Sequence, residues 1–320
     1  MRTVLLAGLF SWLLVLFAGT ASASVVPWPA TDIAVTLPAS EGSESDAYFA
    51  LFKDSLAAKT GKAISVRRIP AQAGGVAWAK MADDEPDGSV LTNVLLPNLI
   101  LRTYAPESGV YPQYMAICHV GAYSPCVLWS PAANAIESVT ALAETIRNTS
   151  GNFMVAGPGR FSTGQIAARA FDRLMGVKTL YVPYAGSVEA AKAALNREAP
   201  VFWGYSVPPS VFGSSFKALA VASENRLASM PDVPTFRELG IDLVEGVYFG
   251  IAVPSDVSEY YRETISEVFS AIAKEPAYIA RASAAGFVPL DIDAKGVKTL
   301  YKQLQETVGN RVEDYSLREQ

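Results

Sequence analysis

The chain has 320 residues, half of them apolar and 18% charged, which suits two globular units with ample core better than one. Its formal net charge is −5, and one acidic unit more once Arg2 is lost. With no basic tract, that balance argues against nucleic acid or an anionic membrane surface as partner.

The N-terminus stands apart. Arg2 precedes an apolar run over residues 4–17, and Ala21-Ser22-Ala23 is a small-x-small motif. Residues 1–23 therefore read as a secretory signal peptide cut before Ser24, the run being short for a membrane anchor. No cysteine lies near the cut to carry a lipid, and no later segment is apolar enough to span a bilayer. The mature chain is therefore expected to be exported.

A strand over 33–37 is followed by the small polar run Ala39-Ser40-Glu41-Gly42-Ser43-Glu44-Ser45. Then comes a helix over about 46–59, with Phe49, Phe52 and Leu56 on one face, Ser45 as N-cap and Gly61 as stop. A strand over 64–69, a loop to Gly75 and a short helix over 76–81 follow. A buried strand over 90–96 ends at Pro97-Asn98. Cys118 and Cys126 flank Tyr123-Ser124-Pro125. In an oxidising compartment this segment could turn the chain back so that they pair; the alternative is two buried thiols.

The second half repeats the order: a strand over 153–156, the loop Gly157-Pro158-Gly159-Arg160-Phe161-Ser162-Thr163, then a helix ended by Gly176. A strand over 179–182 leads to Pro183-Tyr184-Ala185-Gly186-Ser187, an alanine-rich helix over 188–195 and a strand over 201–205. An apolar stretch over 244–253 reads as a strand returning to the first half. Helices over 258–273, 277–285 and 294–312 close the chain. Strands alternating with helices predict an α/β fold with parallel-rich sheets flanked by helices. Each repeat points a helix N-terminus at a shared cleft, where free N–H groups and the dipole attract an anion.

Catalytic readings are poorly supplied. His119 is the one histidine and sits in an apolar segment, so it reads as a strand residue. A Ser-His-Asp triad would have to use it, and no Gly-x-Ser-x-Gly elbow occurs. Metal-ligand spacing is missing, and Gly157-Pro158-Gly159 lacks the Gly-Lys-Ser/Thr end of a phosphate loop. No metal, cofactor or catalytic residue is assigned. Gly159, Ser162 and Thr163 can instead hold a carboxylate, or the hydroxyls can be ordinary caps. Ser43, Ser45 and Asp46 occupy the matching loop; Asp46 either accepts from the ligand or complements the helix dipole. Glu41 and Glu44 are expected to face solvent. Asn93 and Ser206, near the ends of matching strands, can add hydrogen bonds, and Tyr184 can close over the ligand. Arg160 pairs with a second carboxylate or is a solvated loop residue.

The string Leu219-Ala220-Val221-Ala222-Ser223-Glu224-Asn225-Arg226, with Pro231-Asp232-Val233-Pro234-Thr235 and Glu238-Leu239-Gly240, resembles a signature of the substrate-binding proteins of tripartite tricarboxylate transporters, the Bug or TctC-like family. Ala73-Gly74-Gly75, Pro86-Asp87-Gly88, Leu96-Pro97-Asn98 and Val182-Pro183-Tyr184-Ala185-Gly186 are similar to further family motifs, in order along the mature chain. Thr235 and Glu238 also have capping-box spacing, a helix start.

The resemblance implies a two-lobed periplasmic binding protein of the type II, Venus-flytrap class. Such a protein closes on a small organic carboxylate and delivers it to a membrane permease, acting as a monomer without catalysis. It implies that backbone amides and hydroxyls of the two loops, with ordered water, hold the carboxylate. The positions carried over are Ser45, Asp46, Asn93, Gly159, Ser162, Thr163 and Tyr184. The expected lobes are 24–124 with 245–320, and 125–244, hinged near 124–127 and 244–253. The chain departs from the family at Glu41-Gly42 in the first loop, at Gln165 where a histidine is common, at Ala185 for a lysine, and across 196–200. Two other uses of the cleft are a periplasmic sensor signalling to a membrane receptor and an exported hydrolase using Ser162.

Overall fold

A computed structural model describes residues 27–105, 109–134, 136–149, 152–208, 213–315 and 317; the expected signal peptide lies outside them. In chain order, β1 (Ile33–Leu37), α1 (Glu44–Thr60), β2 (Ile64–Arg68), α2 (Gly75–Ala79), β3 (Val90–Leu96) and α3 (Asn98–Arg102) make the first unit. The long β4 (Met115–Pro131) and α4 (Val139–Asn148) lead to β5 (Met154–Pro158), α5 (Thr163–Met175), β6 (Leu180–Tyr184), α6 (Ser187–Leu195), β7 (Val201–Tyr205) and β8 (Phe216–Val221). The chain ends with β9 (Gly246–Pro254), α7 (Glu259–Ala273), α8 (Pro276–Ala285), β10 (Val288–Asp293) and α9 (Ala294–Asp314).

The strand order is β2-β1-β3-β9-β4-β7-β5-β6, with β8 and β10 also pairing β4. β1 runs parallel to β2 and β3, and β5 runs parallel to β6 and β7. The repeated strand-loop-helix unit is therefore real: β2-β1-β3 and β6-β5-β7 are the same arrangement used twice. It is the α/β, type II binding-protein architecture that the alternating pattern and the resemblance predicted.

β4 belongs to both halves. Its residues Met115 to Pro125 pair with β9, and Cys126 to Trp129 pair with β7. At the change of partner Cys126 N donates to Glu245 O at 2.7 Å and Ser206 N donates to Pro125 O at 2.8 Å. Proline has no N–H for a ladder, so it fits where one ladder ends and another begins. Two aromatic cores pack on either side of this junction. Tyr48, Phe52, Phe249, Phe269 and Phe287 fill the first half, with Phe52 and Phe269 centroids 5.1 Å apart. Phe171, Trp203 and Phe236 fill the second, with Trp203 and Phe236 stacked at 5.6 Å.

Two expectations need correction. α1 begins at Glu44 with Ser43 in the N-cap position, so Ser45 lies inside the first turn. Thr235 N donates to Glu238 Oε2 at 2.8 Å and Glu238 N to Thr235 Oγ1 at 3.1 Å, a reciprocal capping box, yet the chain there makes turns and no helix. Isolated side-chain caps close a single turn equally well when no amphipathic run follows.

The two readings of the cysteines are decided in favour of buried thiols. Residues 123–125 do not turn back; they lie within β4, and Cys118 and Cys126 are buried free thiols on one strand. Eight residues of extended chain separate them by ~27 Å, far beyond the Cα span of a disulfide. Burial pushes the Cys118 thiol up to about 12 and the Cys126 thiol well above its ordinary value, so neither supplies thiolate for reaction. The native protein is expected to resist a thiol reagent and to titrate two thiols once denatured. A denatured, unreduced sample with no free thiol would contradict this.

Candidate functional site

In both halves the loop after a parallel strand delivers its helix N-terminus to the junction between them, the carboxyl-end position that binds ligands in such sheets. In the second half, Ser162 caps α5 and accepts from Gln165 N at 3.2 Å. Its hydroxyl is directed at the carbonyls of Pro158 and Gly159. Gln165 Oε1 accepts from Phe161 N at 2.8 Å. Ser162 is thus occupied in shaping the loop, and neither it nor His119, which bonds Asp291 at 3.0 Å, reaches the other. A Ser162–His119 hydrolase pair is not formed.

Thr163 faces the first half. Its N–H donates to Asn98 Oδ1 at 2.8 Å and its hydroxyl bonds the same oxygen. Asn98 Nδ2 donates to Tyr205 OH at 3.1 Å. Asn98, at the first residue of α3, therefore joins the start of α5 to the end of β7. Gly159 takes φ +47°, and its N–H donates to Tyr184 O at 2.7 Å. A β-carbon there would lie 2.6 Å from Ala73 Cβ and 3.0 Å from Ala73 N, in the loop after β2. Arg102, one helical turn beyond Asn98, donates to Arg160 O at 3.2 Å and to Gln72 Oε1 at 2.9 Å. It is buried, and among the described residues its Nε has no partner and both its hydrogen-bond partners are neutral oxygens.

A second set of contacts across the seam is acidic. Ser187, the first residue of α6, donates to Glu44 Oε2 at 2.5 Å, and Ser40 donates to Glu189 Oε1 at 2.5 Å. Glu44 is 4% exposed, contrary to the solvated position expected for it, while Glu41 does face solvent. The expectation failed because α6, 143 residues further on, covers the loop. Among the described residues, Glu44 Oε1 and Ser43 Oγ are buried without partners. Burial pushes the Glu44 carboxyl from 4.5 up to about 7, opposed by the Ser187 hydroxyl and its own backbone N–H and reinforced by Glu189.

That shift has a stability consequence with a definite sign. Between pH 4.5 and about 7 the unfolded carboxyl is ionised while the folded one keeps its proton, so stability falls as pH rises. Wild type should lose up to ~3 kcal/mol relative to Glu44→Gln between about pH 5 and pH 8. Denaturant melts of both proteins across that range check it; a pH-independent difference would contradict it.

The remaining predicted residues sit elsewhere. Ser45 is buried in the first turn of α1 beside the seam. Asp46 accepts from Gly42 N at 2.6 Å and pairs with Arg68 at 2.6 Å, so it ties the first loop to β2. Asn93 is buried in β3, donating to Gly250 O at 3.0 Å with Oδ1 unpartnered. Ser206 bonds Ser124 at 2.8 Å and Gly286 O at 2.6 Å, at the β4 junction. Tyr184 packs against a small cluster around Ala156, Ala190 and Phe202, with its hydroxyl donating to Glu198 at 3.0 Å. Arg160 is exposed, its guanidinium 5.9 Å from the Phe161 ring centroid. Asn98, Arg102, Glu44, Ser187 and Tyr205 were not singled out as site residues from the sequence. The only sequence signals were Asn98 inside Leu96-Pro97-Asn98 and Ser187 closing the Tyr184-Ala185-Gly186 run.

Comparison with known proteins agrees with this architecture. The family model described as the tripartite tricarboxylate transporter family receptor matches residues 49–316. A UPF0065 protein from the ttuE-ttuC' intergenic region of Agrobacterium vitis is 25% identical, the match spanning 85% of this chain and 82% of that protein. The periplasmic binding protein BugD superposes with TM-score 0.83 at 17% identity, over 91% of this chain and 99% of BugD. An R. palustris protein solved with adipate superposes with TM-score 0.84 at 17% identity, over 91% of this chain and 99% of its own.

Proposed function

This chain belongs to the tripartite tricarboxylate transporter receptor family, and from that premise we propose that it captures a small organic carboxylate between its two halves in the periplasm and delivers it to a membrane permease. The lobes in this reading are 24–124 with 245–320, and 125–244. They turn about the point where β4 exchanges β9 for β7.

The observation that carries the reading is the seam. Helix N-termini from both halves meet there through Asn98–Thr163 and Glu44–Ser187. Buried Arg102, with only neutral oxygens as hydrogen-bond partners, supplies a cation beside them. Amides at helix starts and a guanidinium are the donors a carboxylate needs. The R. palustris protein of the same fold was solved with adipate, a dicarboxylate.

Thermal-shift screening against mono-, di- and tricarboxylates tests the proposal. A ligand at a hundred times its Kd stabilises by ~2.7 kcal/mol, a rise of several degrees in Tm. Failure of every carboxylate to raise Tm at high concentration would overturn it.

A further inference from the structure

One groove runs against the charge of the whole chain. It lies where α5 and the edge strand β6 meet the end of α9, and it encloses about 790 Å³. Four basic residues line it, Arg160, Arg169, Arg173 and Lys178, against two acidic ones, Asp172 and Asp314. The chain as a whole carries a formal net charge of −5. Arg169 and Asp172 pair at 3.0 Å, and Thr179 gives Asp172 its N–H and its hydroxyl as well. That pair cancels, leaving three cations against Asp314. Arg160, Arg173 and Lys178 are exposed, and among the described residues none of them makes an ion pair.

Local geometry sets the row. Arg169 and Arg173 are one turn apart on α5. Gly176, at φ +59°, ends the helix, and Lys178 follows on the same groove. Arg173 in the last turn also complements the helix dipole, but that use needs neither Arg160 nor Lys178 beside it. Like charges gathered in a concave surface repel one another, and an anion fitting between them relieves the repulsion. The apolar lining narrows the class of anion. Val177, Leu180 and Pro183 share the groove, and Leu180 is 53% exposed. Apolar surface bordered by cations suits a chain bearing both carboxylates and apolar side chains; a bare inorganic anion would leave Leu180 in water.

We infer that this groove docks an acidic, partly apolar peptide segment of the membrane partner to which the protein delivers its ligand. The inference rests on the delivery reading and adds where, and by what chemistry, the partner is held. In the proposed division one wall, α5 with β6, belongs to the second half and the other, the end of α9, to the first. The docked segment therefore touches both.

Fluorescence anisotropy with two labelled peptides tests this: one of alternating glutamate and leucine, and the same peptide with glutamine in place of glutamate. The glutamate peptide is expected to bind about tenfold tighter than the glutamine peptide at low ionic strength, and to weaken as salt is added. Arg173→Glu combined with Lys178→Glu is expected to weaken it by about tenfold or more while leaving the carboxylate-induced rise in Tm unchanged. No binding of the glutamate peptide, equal binding of the two peptides, or undiminished affinity in the double variant would overturn the inference. So would binding that appears only after residues 318–320 are removed, which would give the groove to the chain's own end. Binding to phosphatidylglycerol vesicles, lost in the double variant, with no peptide bound would give it to a membrane surface and overturn the inference as well. The peptide comparison in the wild type needs no variant, so a poorly folding double variant does not spoil the test. The carboxylate response in the same samples separates the readings: its absence in the wild type counts against capture, and absence of peptide binding alone counts against the groove.

Discussion

Gly159→Ala is expected to weaken ligand capture by ~10²-fold, with a smaller loss of stability in the free protein. The left-handed φ of +47° costs an L-residue roughly 1–2 kcal/mol wherever the loop keeps its shape. The larger effect needs the two halves together. A β-carbon on Gly159 would meet Ala73 at 2.6 Å and its backbone nitrogen at 3.0 Å. Ala73 is not a flexible side-chain tip; it lies in a tight turn of the first half, itself at φ +53°. One loop or the other must retreat, and the proposed closure is what is expected to suffer. Titration calorimetry with whichever carboxylate the thermal screen identifies measures this. An unchanged Kd would show that Gly159 and Ala73 need not touch in the liganded state.

Asn98→Ala is expected to have an effect of the same order. Asn98 Oδ1 accepts both the N–H and the hydroxyl of Thr163, and its Nδ2 donates to Tyr205. All three residues are buried at the seam: Asn98 is 2% exposed, Thr163 0% and Tyr205 3%. Removing the amide leaves those groups of Thr163 and Tyr205 without partners, at about 1–3 kcal/mol each when water cannot enter. In the proposed open state water would replace the amide, so the penalty would fall on the closed state. Asn98→Asp keeps the acceptor at the start of α5, where a negative charge is favoured. It is therefore expected to lose less than Asn98→Ala. Equal losses in both would argue that the amide's donor to Tyr205, and not its acceptor to Thr163, holds the seam.

Much of the fold was legible because it is periodic. The 1–4–8 spacing of Phe49, Phe52 and Leu56 marked the buried face of α1, and Gly61 and Gly176 marked helix ends where the chain does adopt positive φ. The loop-helix repeat exposed the two-fold plan because each copy carries the same local instructions. What escaped was decided by distant partners. Residues 123–125 looked like a turn because serine and proline favour turns; β9, supplied from more than 120 residues away, holds them extended. α3 is five residues long, too short to show a helical period, and it carries Asn98 and Arg102. Glu44 looked solvated because an acidic residue in a serine-rich loop usually is; α6 buried it. The hydroxyls of Ser162 and Ser206, by contrast, are spent on shaping a loop and a strand junction. Residue type named the chemistry of the cleft, and tertiary contact decided which bearers of that chemistry face it.

The two halves are expected to close on a carboxylate. A distance between spin labels on α1 and α6 reads it directly. Lys53→Cys and Lys192→Cys place one label on each half at exposed positions, and the native thiols at Cys118 and Cys126 are buried and stay unlabelled. The account predicts a broad or longer distance in the free protein that collapses to one short distance when the binding carboxylate is added. A distance distribution unchanged by every carboxylate that binds would contradict it.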